Sequence, residues 1–204
     1  AYGLIKSGLH DIVAVIGFQK MSEISSAESQ ERMGRGADIQ WESPFGTMMP
    51  AYYALYAQAY MAKNGLTQED LMNVRIKSAT YGQINERAVY RKAVKPDDFD
   101  PNNPNARLAQ IVAWPLRVGD ACANADGSSC VILASAEKAK AICKKPVWIL
   151  GIGAASEAVN MASRPDFSKG LRVAYLAAQE AYKMAGITPK DVKVAEVHDC
   201  FTIA

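Results

Sequence analysis

The sequence predicts an α/β fold that contains parts of two βαβ-type domains, with mixed sheets covered by helices. Four predominantly apolar segments are too short for typical helices and have the length of strands; they are residues 12–18, 130–134, 147–152 and 192–197. Such runs are typical of strands covered on both faces. Between the last two runs, residues 171–185 have apolar side chains at helical spacing and precede Gly186, so this stretch predicts a strand, a helix and a parallel strand.

The ends of the other helices are predicted from single residues. Gly8 ends a helical turn at the start of the chain, and Gly65 follows a helix predicted over residues 51–64. Ser135 is placed to cap a short helix, because its hydroxyl can accept a hydrogen bond from the first turn.

Thr67 and Thr188 mark two further helix starts. Each is followed three residues later by an aspartate, Asp70 and Asp191 respectively. A threonine hydroxyl can cap the first turn, and a carboxylate is favoured at the positive end of a helix. Both positions are therefore predicted to begin a helical turn.

Two polar stretches interrupt the alternation of strands and helices. Residues 21–50 are rich in Ser, Glu, Gly and Met, and residues 80–107 contain Pro96, Pro101 and Pro104. Long excursions of this kind usually form lids, interfaces or binding loops. We therefore predict one long loop excursion at about residues 21–110.

A domain boundary is predicted at residues 144–146, Lys-Lys-Pro, where a short helix ends and a new apolar strand begins. It divides the chain into residues 1–144, which include the excursion, and residues 145–204, which begin a second domain.

Composition excludes several functional classes. The net charge is only +2, which predicts no nucleic-acid partner, and no apolar run approaches the roughly 20 residues that span a bilayer. The four cysteines match neither a zinc ribbon nor a dense disulfide framework. We therefore expect a cytoplasmic protein that binds neither membrane nor metal.

His198 is the better catalytic candidate of the two histidines. It directly follows the apolar run that ends at Val197, and it is followed by Asp199. In open α/β sheets, ligands bind just beyond the carboxyl ends of strands. The alternative is a structural histidine that hydrogen-bonds to backbone, and position alone leaves both open. His10 is interpreted as a surface residue at a helix end.

A family resemblance adds to this interpretation. Residues 196–201, Glu-Val-His-Asp-Cys-Phe, resemble a motif of thiolases of the sterol-carrier-protein type and of the archaeal acetyl-CoA acetyltransferase type. Residues 1–22, 44–46 and 126–135 also resemble family segments and occur in family order. The resemblance covers nearly the whole chain, as the central part of such an enzyme, with residues 1–144 in its N-terminal domain and 145–204 in its C-terminal domain. Lys77-Ser78-Ala79 departs from the family pattern, which often has Lys-Asn-His there.

The resemblance implies an acyl-CoA acyltransferase. Such an enzyme cleaves a 3-oxoacyl-CoA by thiolysis, or runs the reverse Claisen condensation, through an acyl-cysteine that the resemblance places outside these residues. It implies a coenzyme A thioester as substrate and no bound cofactor. His198 would donate a hydrogen bond in the oxyanion hole, and Asp199 is a candidate for orienting it. Cys200 is interpreted as a packing residue, as are Cys122, Cys130 and Cys143.

Candidate substrate contacts lie in the motif and in the excursion. They are Phe201, Phe45, Met48, Met49, Arg87 and Arg91. The arginines could meet coenzyme A phosphates, although a solvated face explains them equally well. The Met and Phe side chains could border an acyl pocket, or they could simply fill a core.

Partners and alternatives follow from the same resemblance. It implies a homodimer or tetramer, and for some relatives a small protein partner with an oligonucleotide-fold domain and a zinc ribbon. A second hypothesis is a non-catalytic thiolase-like subunit that binds acyl-CoA or scaffolds a partner. A third, a nucleotide-dependent oxidoreductase, depends only on Gly151-Ile-Gly153, for which turning of the backbone is the simpler explanation. The sequence leaves the acyl group open.

Overall fold

The structure is a computed structural model that describes residues 1–204. The α-helices are Tyr2–Lys6 (α1), Ser26–Gly34 (α2), Met49–Asn64 (α3), Gln68–Ile84 (α4), Ala136–Ile142 (α5) and Arg172–Ala185 (α6). The strands are Ile12–Gln19 (β1), Ile111–Ala113 (β2), Leu116–Arg117 (β3) and Gly127–Ala134 (β4). None of the helices combines the length and the apolar character that crossing a membrane requires.

The two longest strands form an antiparallel pair. β1 and β4 pair from Ile12 opposite Ala134 to Gln19 opposite Gly127. The strand predictions at residues 12–18 and 130–134 are therefore confirmed. The prediction that both faces are covered is wrong within this chain, because Ile16 is 67% exposed and Phe18 80% exposed.

Exposed apolar surface is a property of the whole chain. Its accessible area is 14575 Å², whereas a compact monomer of this size exposes about 9,300 Å². The exposed large side chains include members of β1, of β4 and of the apolar run at residues 147–152. Apolar faces of this extent are normally covered by further protein.

Asp126 fixes the end of β1 to the start of β4. Its carboxylate accepts hydrogen bonds from the backbone N–H groups of Met21 and Ser22 at 2.8 and 2.9 Å, and from the Ser22 hydroxyl at 2.7 Å. These hydrogen bonds, led by those from Ser22, hold the pKa of Asp126 below its usual value. The carboxylate is therefore bound in its charged form.

α3 lies at the centre of the buried core and contributes to two clusters. The first contains Ala54, Ala57, Leu71, Leu116 and Phe201. The second contains Ala37, Tyr52, Tyr56 and Met161. Opposite sides of one helix thus contact the C-terminal residues and the segment around Met161. The helix predicted at residues 51–64 is confirmed, and Gly65 ends it with a positive φ of 69° that favours glycine.

The predicted excursion at residues 21–110 is more helical than its composition indicated. It contains α2, α3 and α4, and α4 continues through Thr80 as far as Ile84. Thr67 and Asp70 form a complete capping box at the start of α4. Irregular backbone is therefore concentrated after Ile84.

The apolar runs at residues 147–152 and 192–197 form no paired strands, so those two strand predictions are not confirmed. Residues 147–159 and 193–199 contribute no backbone–backbone hydrogen bond. Apolar composition favours extended chain, but a strand also needs a neighbouring strand with which to exchange hydrogen bonds. The helix between the two runs, α6, is confirmed.

Gly151 and Gly153 cross α6 at close range. A Cβ added at Gly153 would overlap the carbonyl oxygen of Ala177, and one added at Gly151 would overlap that of Ala181. Moving two residues forward, from Gly151 to Gly153, therefore corresponds to moving four residues back along α6, from Ala181 to Ala177. Two extended residues span about 6.6 Å and one helical turn about 5.4 Å, so the segment runs extended and antiparallel to α6. Close approach, rather than turning of the backbone, explains these glycines.

We expect Gly153→Ala to destabilise the protein by about 1–3 kcal/mol, because the new methyl group forces the segment away from α6. The free energy of unfolding from urea titration measures this loss. Gly127→Ala is the matched control, since no other atom lies within 4 Å of the added Cβ. Equal stability of the two variants would contradict the close approach.

We expect Asp126→Asn to lower stability at pH 7 and to lower it less at pH 3. Because the pKa of Asp126 is lowered in the folded protein, its contribution is present above the unfolded pKa of about 4 and is lost as the pH falls through the folded value. Urea midpoints at the two pH values measure the difference. Asp97→Asn is a control, because the Asp97 side chain makes no hydrogen bond or ion pair in the structure.

Candidate functional site

The motif at residues 198–201 is held by its last residues. The backbone N–H of Cys122 donates to the Cys200 carbonyl at 2.8 Å, and the N–H of Thr202 donates to the Asp120 carbonyl at 2.9 Å. Between these bonds, Phe201 forms an antiparallel bridge with Ala121. The end of the motif is therefore a short piece of sheet against residues 120–122.

Asp120 links this piece of sheet to the core through a buried ion pair. Its carboxylate accepts from Arg117 Nε at 2.9 Å and from the Thr202 hydroxyl at 3.1 Å. The guanidinium of Arg117 also donates to the Gln68 carbonyl at 2.6 Å and lies over the Phe99 ring. Both charged side chains are almost fully buried. The pair thus joins the motif to the first turn of α4.

Tyr53 of α3 packs against the motif from the other side. Its ring stacks on Phe201 with centroids 4.5 Å apart and planes inclined by 25°. Burial and the neighbouring Cys200 thiol raise the pKa of Tyr53 above its usual value. Phe201 itself is only 6% exposed, so its ring is part of the core. A substrate contact by Phe201 stays a prediction.

His198 lies just before this anchored region and is exposed. Its ring makes no hydrogen bond or ion pair, and residues 193–199 make no backbone–backbone hydrogen bond. Both ring nitrogens are therefore free to meet a ligand. The structural alternative, a ring satisfied by backbone, has no support in the described residues.

Asp199 does not hydrogen-bond to the His198 ring. Its carboxylate accepts a long hydrogen bond of 3.4 Å from the hydroxyl of Ser78, in α4. Ser78 belongs to the Lys-Ser-Ala stretch that departs from the family pattern. The structure thus brings α3 and α4 to the two sides of the motif.

Of the three candidate substrate contacts around the start of α3, only one is connected to the motif. Phe45 is 77% exposed and Met48 is exposed as well. Met49, the first residue of α3, packs against both core clusters, including the one that contains Phe201. Met49 is therefore the candidate with a physical connection to the motif.

Arg87 and Arg91 lie in irregular chain after α4. Both are exposed, and neither forms an ion pair. Their cations are available to an anionic ligand, and they make no hydrogen bond or ion pair with the motif.

Two surface cavities contain none of the predicted residues. One has a volume of about 480 Å³ and lies between the end of α3, the start of α4 and the cis peptide of Trp114 and Pro115. The other, of about 270 Å³, lies beside α2. No three His, Cys, Asp or Glu side chains of the chain converge in a way that could bind a metal ion.

A polar connection missed by the sequence interpretation joins the excursion to the later part of the chain. Glu42 accepts from the Tyr52 hydroxyl at 2.8 Å and from the Met161 backbone N–H at 2.6 Å. Arg164 donates to the Tyr56 hydroxyl at 2.8 Å. Together with burial, the Glu42 hydrogen bond raises the pKa of Tyr52 to about 12.

Three of the predicted packing cysteines are placed differently from the expectation. Cys122, Cys130 and Cys143 are exposed. Cys200 is partly buried and packs against the core cluster, as predicted.

Sequence comparison finds relatives along the whole chain. A family model described as thiolase C-terminal domain-like matches residues 153–204. The chain is 36% identical over 201 residues to the acetyl-CoA acetyltransferase of Methanocaldococcus jannaschii, a match that covers 98% of this chain and 49% of that relative. The chain therefore spans about half the length of the curated relatives it matches.

Solved structures share the fold. The chain superposes with a TM-score of 0.78 on a structure described as an Ltp2-ChsH2(DUF35) aldolase, at 22% identity over 98% of this chain and 51% of that one. The TM-score is 0.66 for a monomeric SCP2-thiolase-like protein type 1 from Mycobacterium smegmatis, at 18% identity over 98% of this chain and 42% of that one.

The fold is that of thiolase-like α/β proteins, and the chain is similar to members of the thiolase superfamily over nearly its whole length. Within it, the chain is similar to the archaeal acetyl-CoA acetyltransferases in sequence and to SCP2-thiolase-like proteins in structure. The predicted resemblance and the predicted α/β fold class are confirmed. The boundary between residues 144 and 145 and the site assignments stay predictions.

We expect Asp120→Asn to destabilise the protein by about 3–5 kcal/mol, because it leaves the buried Arg117 charge without a partner. Glu31→Gln is the matched control: its ion pair with Arg35 is exposed, so its loss should cost less than about 1 kcal/mol. Urea unfolding measures both. Similar losses in the two variants would contradict the structural importance of the buried pair.

Proposed function

We propose that the complete protein containing these residues is a thiolase-type acyl-CoA acyltransferase in which His198 is an oxyanion-hole donor. The observation that carries this proposal is the free, exposed imidazole of His198 immediately before the anchored residues Cys200 to Thr202. The similarity to acetyl-CoA acetyltransferases supports the reaction class. The substrate is a coenzyme A thioester, and the reaction is thiolysis of a 3-oxoacyl-CoA or its reverse.

The reaction explains why a free imidazole N–H is needed. In thiolysis a cysteine thiolate adds to the 3-oxo carbonyl, and the bond between carbons 2 and 3 then breaks. Its electron pair passes to the enolate oxygen of the departing thioester, which is protonated at carbon 2, and coenzyme A finally takes the acyl group from the cysteine. Donors that are already in place stabilise such oxygens because they need no reorganisation. His198 would donate to the thioester or enolate oxygen.

We assign the nucleophile to a cysteine outside these residues. A cysteine nucleophile normally has a base within hydrogen-bonding distance, and none of the four cysteines is hydrogen-bonded to a histidine. Although Cys122 is exposed as a residue, desolvation of its thiol and repulsion by Cys200 raise the pKa of that thiol, which disfavours the reactive thiolate. Cys200 packs against the core.

The remaining assignments extend this proposal to binding. Met49 lies beside the cluster that contains Phe201, so these two side chains are suited to border the acyl group, with Phe45 and Met48 nearby in sequence. The unpaired cations of Arg87 and Arg91 are suited to coenzyme A phosphates. We propose no bound cofactor.

We also propose that the protein assembles with further protein. The exposed apolar faces of β1 and β4 support this. One further copy of the chain would give the proposed homodimer, and three further copies would give the tetramer. The description of one structural neighbour names a second component, ChsH2(DUF35), which supports a small protein partner as well.

The alternative function is a non-catalytic thiolase-like subunit that binds or scaffolds acyl-CoA for a partner. The second component named in the description of one structural neighbour, an Ltp2-ChsH2(DUF35) aldolase, favours it. Intact mass after incubation of the complete protein with acetyl-CoA separates the two functions. Addition of one acetyl group to a cysteine supports the acyltransferase, whereas an unchanged mass supports the scaffold.

We expect His198→Ala in the complete protein to reduce kcat for both thiolysis and condensation by about a hundredfold or more, the usual cost of removing one oxyanion donor. Release and consumption of coenzyme A thioester measure the rates. His10→Ala is the matched control, because His10 is the other histidine of the chain, is exposed, and makes no side-chain hydrogen bond. Normal turnover of the His198 variant would end the assignment.

A further inference from the structure

The position of His198 depends on the residues that follow it. Upstream, residues 193–199 make no backbone–backbone hydrogen bond. Downstream, Cys200, Phe201 and Thr202 are fixed to residues 120–122. His198 is thus two residues from the point at which the chain is fixed. The placement of residues 200–202 therefore limits where His198 can lie.

Tyr53 is placed to orient this part of the motif. Its ring is stacked on Phe201 with centroids 4.5 Å apart, and Tyr53 and Cys200 both pack against the core cluster that contains Phe201. The stack therefore resists displacement of the motif at Phe201.

The support behind Tyr53 is rigid. α3 carries Tyr53 between two core clusters, with Ala54 and Ala57 in one and Tyr52 and Tyr56 in the other. The helix is therefore held on two sides while Tyr53 itself is only partly buried. Removing its side chain should leave the helix in place and release the motif.

We propose that Tyr53 is a positioning residue for the reaction, which acts through its stack on Phe201 to hold His198 in the orientation that donates to the thioester oxygen. The inference rests on the proposed function of His198. It assigns Tyr53 no contact with substrate. A displacement of about 1 Å in a catalytic group can cost about a hundredfold in rate, so a side chain that acts only through its neighbours can have a large effect.

The test compares Tyr53→Leu and Tyr53→Phe in the complete protein. Tyr53→Leu removes the stacked ring and should lower kcat about tenfold to a hundredfold with KM for the acyl-CoA changed by less than about threefold. Tyr53→Phe retains the ring and should restore most of kcat. Tyr60→Leu is the matched control, because Tyr60 lies on the same helix, with its ring near Gly170. It should leave kcat within about twofold.

A double variant distinguishes positioning from general destabilisation. If Tyr53 acts through His198, adding Tyr53→Leu to His198→Ala should lower kcat no further. If the losses of kcat from the two substitutions multiply in the double variant, the proposal is overturned. It is also overturned if Tyr60→Leu lowers kcat as much as Tyr53→Leu does, or if Tyr53→Leu has normal kcat. Normal kcat in His198→Ala would instead overturn the proposed function. If Tyr53→Leu alone lowers kcat while His198→Ala alone leaves kcat normal, Tyr53 acts by another route. That result would also overturn the inference.

Discussion

The buried pair of Arg117 and Asp120 is the interaction on which the candidate site depends. Burying two charges costs several kcal/mol per ion unless each is well hydrogen-bonded. Here the Arg117 guanidinium donates to the Asp120 carboxylate and to a backbone carbonyl of α4, and it lies over the Phe99 ring. The carboxylate also accepts a hydrogen bond from the Thr202 hydroxyl. The charges therefore compensate each other and at the same time connect the motif, the β2–β3 hairpin and α4.

The motif is consequently rigid after His198 and unrestrained before it. The residues after it are fixed by sheet hydrogen bonds and by the Tyr53 stack, whereas residues 193–199 have no backbone partner. Catalysis by an oxyanion donor requires a donor that is already oriented. Rigidity on one side can provide that orientation, while the unpaired backbone and exposed side chains on the other side indicate where further protein would complete the site.

Local signals in the sequence were sufficient for much of the fold. Gly65 and Gly186 end helices because they adopt positive φ, Ser135 caps α5, and Thr188 with Asp191 forms the expected capping box. Pairing and coverage of strands could not be predicted, since they depend on neighbours distant in sequence. His198 was selected as a candidate from its position after an apolar run, whereas Tyr53 and Asp120 were not among the candidates. Asp120 does follow the same three-residue spacing as Asp70 and Asp191, in a box with Arg117.

Gly151 and Gly153 show why a motif needs its structural context. A dinucleotide fingerprint uses glycines so that backbone can approach a pyrophosphate and a helix. Here the approach to α6 alone accounts for both glycines, because the Ala177 and Ala181 carbonyls occupy the space that a side chain would need. The same closeness fixes the apolar segment along α6 although it has no strand partner. The helix therefore holds the start of the second predicted domain in the extended form that a sheet neighbour could pair with.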